Sequence, residues 1–265
     1  MDKEYIEELA KEPRFICGIY NYCDRWCERC AFTSRCMNYE ISEKEFSDPE
    51  TQDIRNKAFW DKLGEILSGT FEMVVEKAKE LGVDLDEICS DETADDFERI
   101  QEQAMEQPYS TAAMKYIEMV DNWFETNNER LEAKGLELVS HVQANIPGTN
   151  PENDALKIND CLEVIRWYKY QMYVKLCRAA GGIINNRPEE IEFNKSDADG
   201  SAKVALIGIE RSISAWAGLI EHFPEQDNEI LDLLITLKRL MPQVEAAFPD
   251  ARAFKRPGFD TLDNT

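Results

Sequence analysis

The chain has 265 residues, of which 43% are hydrophobic and 31% charged, enough to bury a core without disulfides and too apolar for a wholly disordered protein. Its 53 acidic residues outnumber 30 basic ones, and the net charge of −23 repels phosphate backbones and anionic lipid, so a general nucleic-acid or membrane-surface binder is not expected. The acidic start carries no apolar leader, and the longest apolar stretch, Val204 to Ile220, is interrupted by Glu210 and Arg211; the expected location is cytoplasmic, where thiols stay reduced.

Strand-like alternation is scarce and helical spacing dominates, so the expected fold is all-α. A short acidic helix over 1–11 stops at Pro13, and residues 14–46 are rich in cysteine and aromatic residues with no clean period. Ser47-Asp48-Pro49-Glu50 reads as a helix start, opening a helix to Leu81 with Gly82 as its stop; a second acidic helix covers 92–107. Four longer helices are expected at 110–145, 151–180 (closed by Gly181-Gly182), 201–223 (capped by Ser201) and 226–248 (carrying Pro242). The short turns between the first and second and between the third and fourth imply antiparallel neighbours, while the connection over 183–199 is long enough to cross over. The domain reading is a cysteine-rich metal-binding segment (1–46), a helical pair (47–107), a bundle of about four long helices (108–248) and an irregular tail (249–265). No internal repeat is evident.

The sharpest chemical signal is the run Cys17, Cys23, Cys27, Cys30 and Cys36, five of the eight cysteines within twenty residues. Thiolates are soft ligands, and in a reducing compartment such a run points to metal rather than disulfides. If residues 23–30 are helical, Cys23, Cys27 and Cys30 share one face, and Cys36 completes a set of four with Cys17 in reserve. Zinc favours two separated Cys-x2-Cys knuckles, and only one exists here; a [4Fe–4S] cluster accepts one compact run, so the cluster is the first expectation and zinc the alternative. Cys27-x2-Cys30-x5-Cys36, preceded by a further cysteine, resembles the iron–sulfur loop of endonuclease III-type DNA glycosylases and of some RecB-like nucleases. The resemblance spans about twenty residues and departs at its first spacing. It implies an iron–sulfur site, not a DNA enzyme, because their basic DNA-binding surface and nuclease motif are not evident. Cys23-x3-Cys27-x2-Cys30 also has the spacing of radical-SAM enzymes, whose α/β barrel this helical pattern lacks. The chain as a whole resembles uncharacterised bacterial proteins, which implies no activity. Arg25, Arg29 and Arg35 interleave with the thiols, either to offset an anionic cluster or to pair with Asp24 and Glu28.

A second candidate lies on the helix from 151. Asn159, Glu163, Arg166, Tyr170, Tyr173 and Cys177 recur at helical spacing, and Glu210 with Arg211 on the next helix face them in an internal polar pocket; the alternative is a set of interhelical ion pairs. His141 and His222 read as helix-end groups, Cys89, Cys161 and Cys177 as small core residues, and 197–200 as a loop before a helix cap. The function expected is a metal-binding, [4Fe–4S]-type protein in electron transfer or redox sensing. The alternatives are a zinc-stapled scaffold binding a protein partner and an enzyme built on the polar pocket.

Overall fold

The computed structural model describes residues 3–85, 91–145, 147–185, 191–223 and 227–260. Among the described residues the chain is all-α: nine helices and three single 3-10 turns, with no strand. The helices are α1 (Lys3–Leu9), α2 (Met37–Glu45), α3 (Pro49–Gln52), α4 (Lys57–Leu81), α5 (Asp91–Met105), α6 (Pro108–Ala144), α7 (Pro151–Ile184), α8 (Ile191–Ile220) and α9 (Asp227–Ala247). No helix among the described residues is long and apolar enough to cross a membrane. Two compact units form, one from Met1–Glu98 with Lys255–Thr265 and one from Arg99–Phe254, the division falling within α5.

The second unit holds the core. Asp121 on α6 is ion-paired with Lys169 of α7, while Phe124 lies 4.3 Å from the Arg166 guanidinium, so the two helices run antiparallel. Along α7 and α8, Cys161 neighbours Gly218, Tyr168 neighbours Gly208, Arg178 pairs with Asp197 and Gly182 meets Ala198, again an antiparallel order. Asn127–Glu229 and Tyr109–Phe248 set α9 antiparallel to α6. The result is an up-down-up-down bundle. At its centre the Trp216 Nε1–H donates to the Tyr116 hydroxyl at 2.8 Å, and Trp216 meets Trp123 edge to face at 4.9 Å. Burial pushes the Tyr116 hydroxyl pKa far up. Each such large side chain stabilises the bundle by roughly 1.5–3 kcal/mol.

The first unit is thin. Only Leu9, Ile19 and Ala78 are buried apolar residues there, against 33 in the second unit, among the described residues. Its helices are held by a few pairwise contacts: Phe46 stacks on Phe59 at 5.5 Å, Lys62 pairs with Glu45 at 2.7 Å, and the Lys44 ammonium sits 3.2 Å from the Tyr5 ring centroid.

The helix count differs from the expected four long helices and a pair, for local reasons. The helix opened by Pro49 ends at Gln52, because Asp53 accepts the Arg55 N–H at 3.0 Å and grips its guanidinium, making a turn before α4. Gly181 and Gly182 do not stop α7. A Cβ on Gly182 would lie 3.0 Å from the Asn194 carbonyl and 3.3 Å from the Ala198 Cβ, so this glycine allows α8 to approach. Ser201 caps nothing: it is fully buried inside α8, and residues 197–200 are helical. The tertiary contact with α7 overrides the loop-like local signal. The long 183–199 connection is largely absorbed into the two helices.

Candidate functional site

The cysteine segment is built from tight turns rather than one helix. Gly18, at φ 73, opens the turn Ile19–Asn21, whose Ile19 is 2% exposed and anchors the loop. The Asp24 carboxylate then accepts the Trp26 N–H at 3.3 Å, and Arg25 takes a left-handed φ of 60, a conformation no α-helix accommodates. The expectation of a helix through 23–30 is therefore corrected. Cys27–Arg29 is a 3-10 turn closed by Cys30 N–H to the Cys27 carbonyl at 3.1 Å. Thr33–Arg35 is another, closed by Cys36 N–H to the Thr33 carbonyl at 3.2 Å. Cys36 stands at the N-cap of α2.

These turns bring Cys23, Cys27, Cys30 and Cys36 to the wall of one hollow, together with Ile19, Trp26, Tyr39 and Phe259. Its cavity volume is about 30 Å³. Cys17 is exposed and not part of this wall. No disulfide forms among the described cysteines. Burial pushes the Cys27 thiol up to about 11, and the nearby Cys23, Cys30 and Cys36 sulfurs add to the shift. The Phe32 N–H donates to the Cys30 sulfur at 3.4 Å, and the Cys23 thiol donates to the Tyr20 carbonyl at 3.5 Å. Among the described residues no three His, Cys, Asp or Glu side chains converge on a single-ion site.

The interleaved arginines have separate tasks. Arg25 lines the hollow, and Arg29 lies 4.0 Å from the Trp26 ring centroid. Arg35 donates to the Arg14 carbonyl at 3.4 Å, and Arg14 pairs with Glu12 and Glu40 at 2.6 and 3.4 Å.

The carboxy-terminal segment closes one side of the hollow, a role sequence reasoning did not give it. Phe259 meets Phe32 edge to face at 5.0 Å. Arg256 grips Asp260 through its backbone N–H and its guanidinium, at 3.0 to 3.1 Å. Gly258, at φ 76, lies against Ile16 and Ile19. The Pro257-Gly258 pair and the Arg256/Asp260 spacing are the only sequence signals of this fold-back, and neither points to cysteine.

The second candidate does not form a common internal pocket. Glu163, Arg166 and Tyr170 are exposed on α7. Glu163 accepts from Asn159 at 2.8 Å, Arg166 covers Phe124, and the Tyr170 hydroxyl donates to Asp121 at 3.3 Å. Tyr173 is half-buried beside Cys177, and burial first, then the contact with that thiol, raises its pKa. Glu210 is tied instead to Arg252 at 2.6 Å, and Arg211 bonds the Tyr168 hydroxyl. The polar stripe is a laced outer edge because α7 turns Ile165, Tyr168, Met172 and Leu176 inward. Cys161 and Cys177 are half-buried on α7, and Cys89 lies outside the described residues.

The chain matches no family model, no curated protein and no solved structure.

Proposed function

We propose that the protein binds a [4Fe–4S] cluster through Cys23, Cys27, Cys30 and Cys36 and serves in electron transfer or redox sensing. One observation carries the reading: four thiols spread over fourteen positions of irregular chain line one hollow, while the fifth, Cys17, does not. Three further features fit this group. The Phe32 N–H aimed at the Cys30 sulfur is the kind of hydrogen bond that tunes cluster potential. Trp26, Tyr39 and Phe259 restrict water at the wall. The thiols come from one compact run with a single Cys-x2-Cys, which suits a cluster better than the two separated knuckles that zinc favours.

When bound, such a cluster supplies exchange of one electron. The chain's own residues would hold it, with Arg25 placing a positive charge at an anionic centre. The thin first unit gives the site a structural role as well, since ligation contributes folding free energy where apolar burial is small.

The test is anaerobic purification with iron, sulfide and zinc analysis. About four irons and four sulfides per chain are expected, with a brown colour and a reversible one-electron titration. Serine at any of Cys23, Cys27, Cys30 or Cys36 should lower the iron sharply, and Cys17→Ser should not. Stoichiometric zinc without sulfide would replace this reading with a zinc-stapled scaffold. Full iron in the Cys27→Ser, Cys30→Ser double variant would end it.

A further inference from the structure

One residue of the cysteine segment stands in a backbone conformation that its side chain disfavours. Among the described residues, positive φ occurs at Gly18, Gly82, Gly148 and Gly258, at Asn145 and at Arg25. Glycine has no Cβ to clash, and asparagine is among the side chains best tolerated in the left-handed region; arginine has neither advantage. The same loop already uses glycine for such a turn, with Gly18 at φ 73 against φ 60 for Arg25. A strained residue kept where glycine would relax the chain points to a role for its side chain.

The guanidinium supplies the second observation. Arg25 is exposed and lines the hollow shared by Cys23, Cys27, Cys30 and Cys36, and among the described residues it is the only basic one on that wall. The other arginines of the segment are engaged: Arg14 with Glu12 and Glu40, Arg29 over the Trp26 ring and Arg35 on the Arg14 carbonyl. The Arg25 side chain has no hydrogen-bond or ion-pair partner among the described residues, in a chain with 53 acidic residues. The wall's other charged side chain is negative. Asp24 lines it too, its carboxylate accepting the Trp26 N–H at 3.3 Å, and Glu28 adds negative charge beside Cys27.

We infer that Arg25 is a potential-setting residue, its fixed positive charge raising the reduction potential of the centre held by the four cysteines. The inference rests on the cluster reading given above. Four thiolates make such a centre anionic, and an accepted electron adds one more negative charge. A cation held at the wall therefore favours the reduced state. Ile19, Trp26 and Phe259 strengthen the effect, because an apolar lining displaces water from between the charges. The left-handed backbone between Asp24 and Trp26 fixes where the arm leaves the chain, and that placement is what the strain secures.

The test uses the full chain purified anaerobically, with iron and sulfide measured and the midpoint potential read by spectroelectrochemical titration at fixed pH. Arg25→Gly relaxes the backbone and removes the charge, Arg25→Gln removes the charge and keeps the strain, and Arg25→Lys keeps both. All three are expected to load iron and sulfide as the parent chain does. Loss of the charge should weaken affinity for the electron about tenfold, a fall of about 59 mV for one electron, in Arg25→Gly and Arg25→Gln alike. Arg25→Lys should recover most of that fall. Because Arg25 is exposed, the difference between parent and Arg25→Gln should shrink between about 0.01 M and 1 M salt, as the screening length falls from about 30 to 3 Å. An unchanged potential in Arg25→Gln, or a fall in Arg25→Gly alone, would overturn the role of the charge and leave the cluster reading intact. A parent chain without iron and sulfide would overturn the cluster reading and this inference with it.

Discussion

Gly258 presses against Ile16 so closely that a Cβ added to the glycine would fall 2.8 Å from the isoleucine Cδ1. Its φ of 76 lies in the left-handed region as well, so the position excludes a side chain on two grounds. Gly258→Ala is expected to cost about 1–3 kcal/mol and to lift Phe259 from the cysteine hollow. If the proposed centre is bound, the measurement is the rate of metal loss to a chelator, which should rise in the variant. An unchanged rate would show that the carboxy-terminal segment does not guard the site.

The two units should separate on chelation. If the proposed metal centre is bound, the first unit, with three buried apolar residues against 33, would depend on its ligation and the second would not. Hydrogen exchange after metal removal should show loss of protection over residues 14–46 while α6 to α9 stay protected. Loss of nearly all helical signal would contradict this division.

Two glycines in long helices should respond to alanine with opposite signs. A Cβ on Gly208 would sit 2.9 Å from Met172 and 3.0 Å from Tyr168, inside the core. Gly208→Ala is therefore expected to destabilise by roughly 1–3 kcal/mol through overpacking. Gly135 in α6 is exposed, and a methyl group added there would meet nothing within 4 Å. At that position alanine should stabilise by about 0.5–1 kcal/mol through helix propensity. Denaturant midpoints of the two variants decide it.

The fold was legible in the sequence where helical period and caps agree. Gly82, which the pattern marks as a stop, ends α4 at φ 69, and Pro151 opens α7 where the pattern starts it, while the long helix expected from Ser110 begins two residues earlier, at Pro108. Legibility failed where tertiary contact outweighed local preference. Gly181, Gly182 and the Asp197-to-Ser201 stretch carry loop chemistry, yet all are helical because small residues let α7 and α8 touch and because Arg178 grips Asp197 at 2.9 Å. The thiol cluster was visible from softness and density alone. The path that gathers it was not, since it turns on one left-handed residue, Arg25, and on Phe259, whose approach leaves no local period. The polar stripe on α7 misled because an amphipathic outer edge and a pocket wall share the same spacing.

Asp199 gives a pH prediction. It is 7% exposed on α8, and burial first, then the Asp250 carboxylate, raise its pKa above the usual value of 3.8, with Lys195 opposing. Because the folded pKa is the higher one, its favourable contribution is complete below the unfolded pKa and is lost as pH rises through the folded one. At neutral pH its charge therefore opposes folding. Asp199→Asn should raise the melting temperature at pH 7, and the gain should shrink toward zero below about pH 4. A gain that persists in acid would place its cause elsewhere.

The fold-back of residues 255–260 also sets an order of events during synthesis. Phe259 leaves the ribosome more than 200 residues after Cys36. At roughly 5–20 residues per second, the four thiols are exposed for about ten seconds to most of a minute before their aromatic cover exists. The wall of the hollow is therefore finished long after its thiols are made. A chain cut short before Lys255 would carry every cysteine and still present them on an open loop.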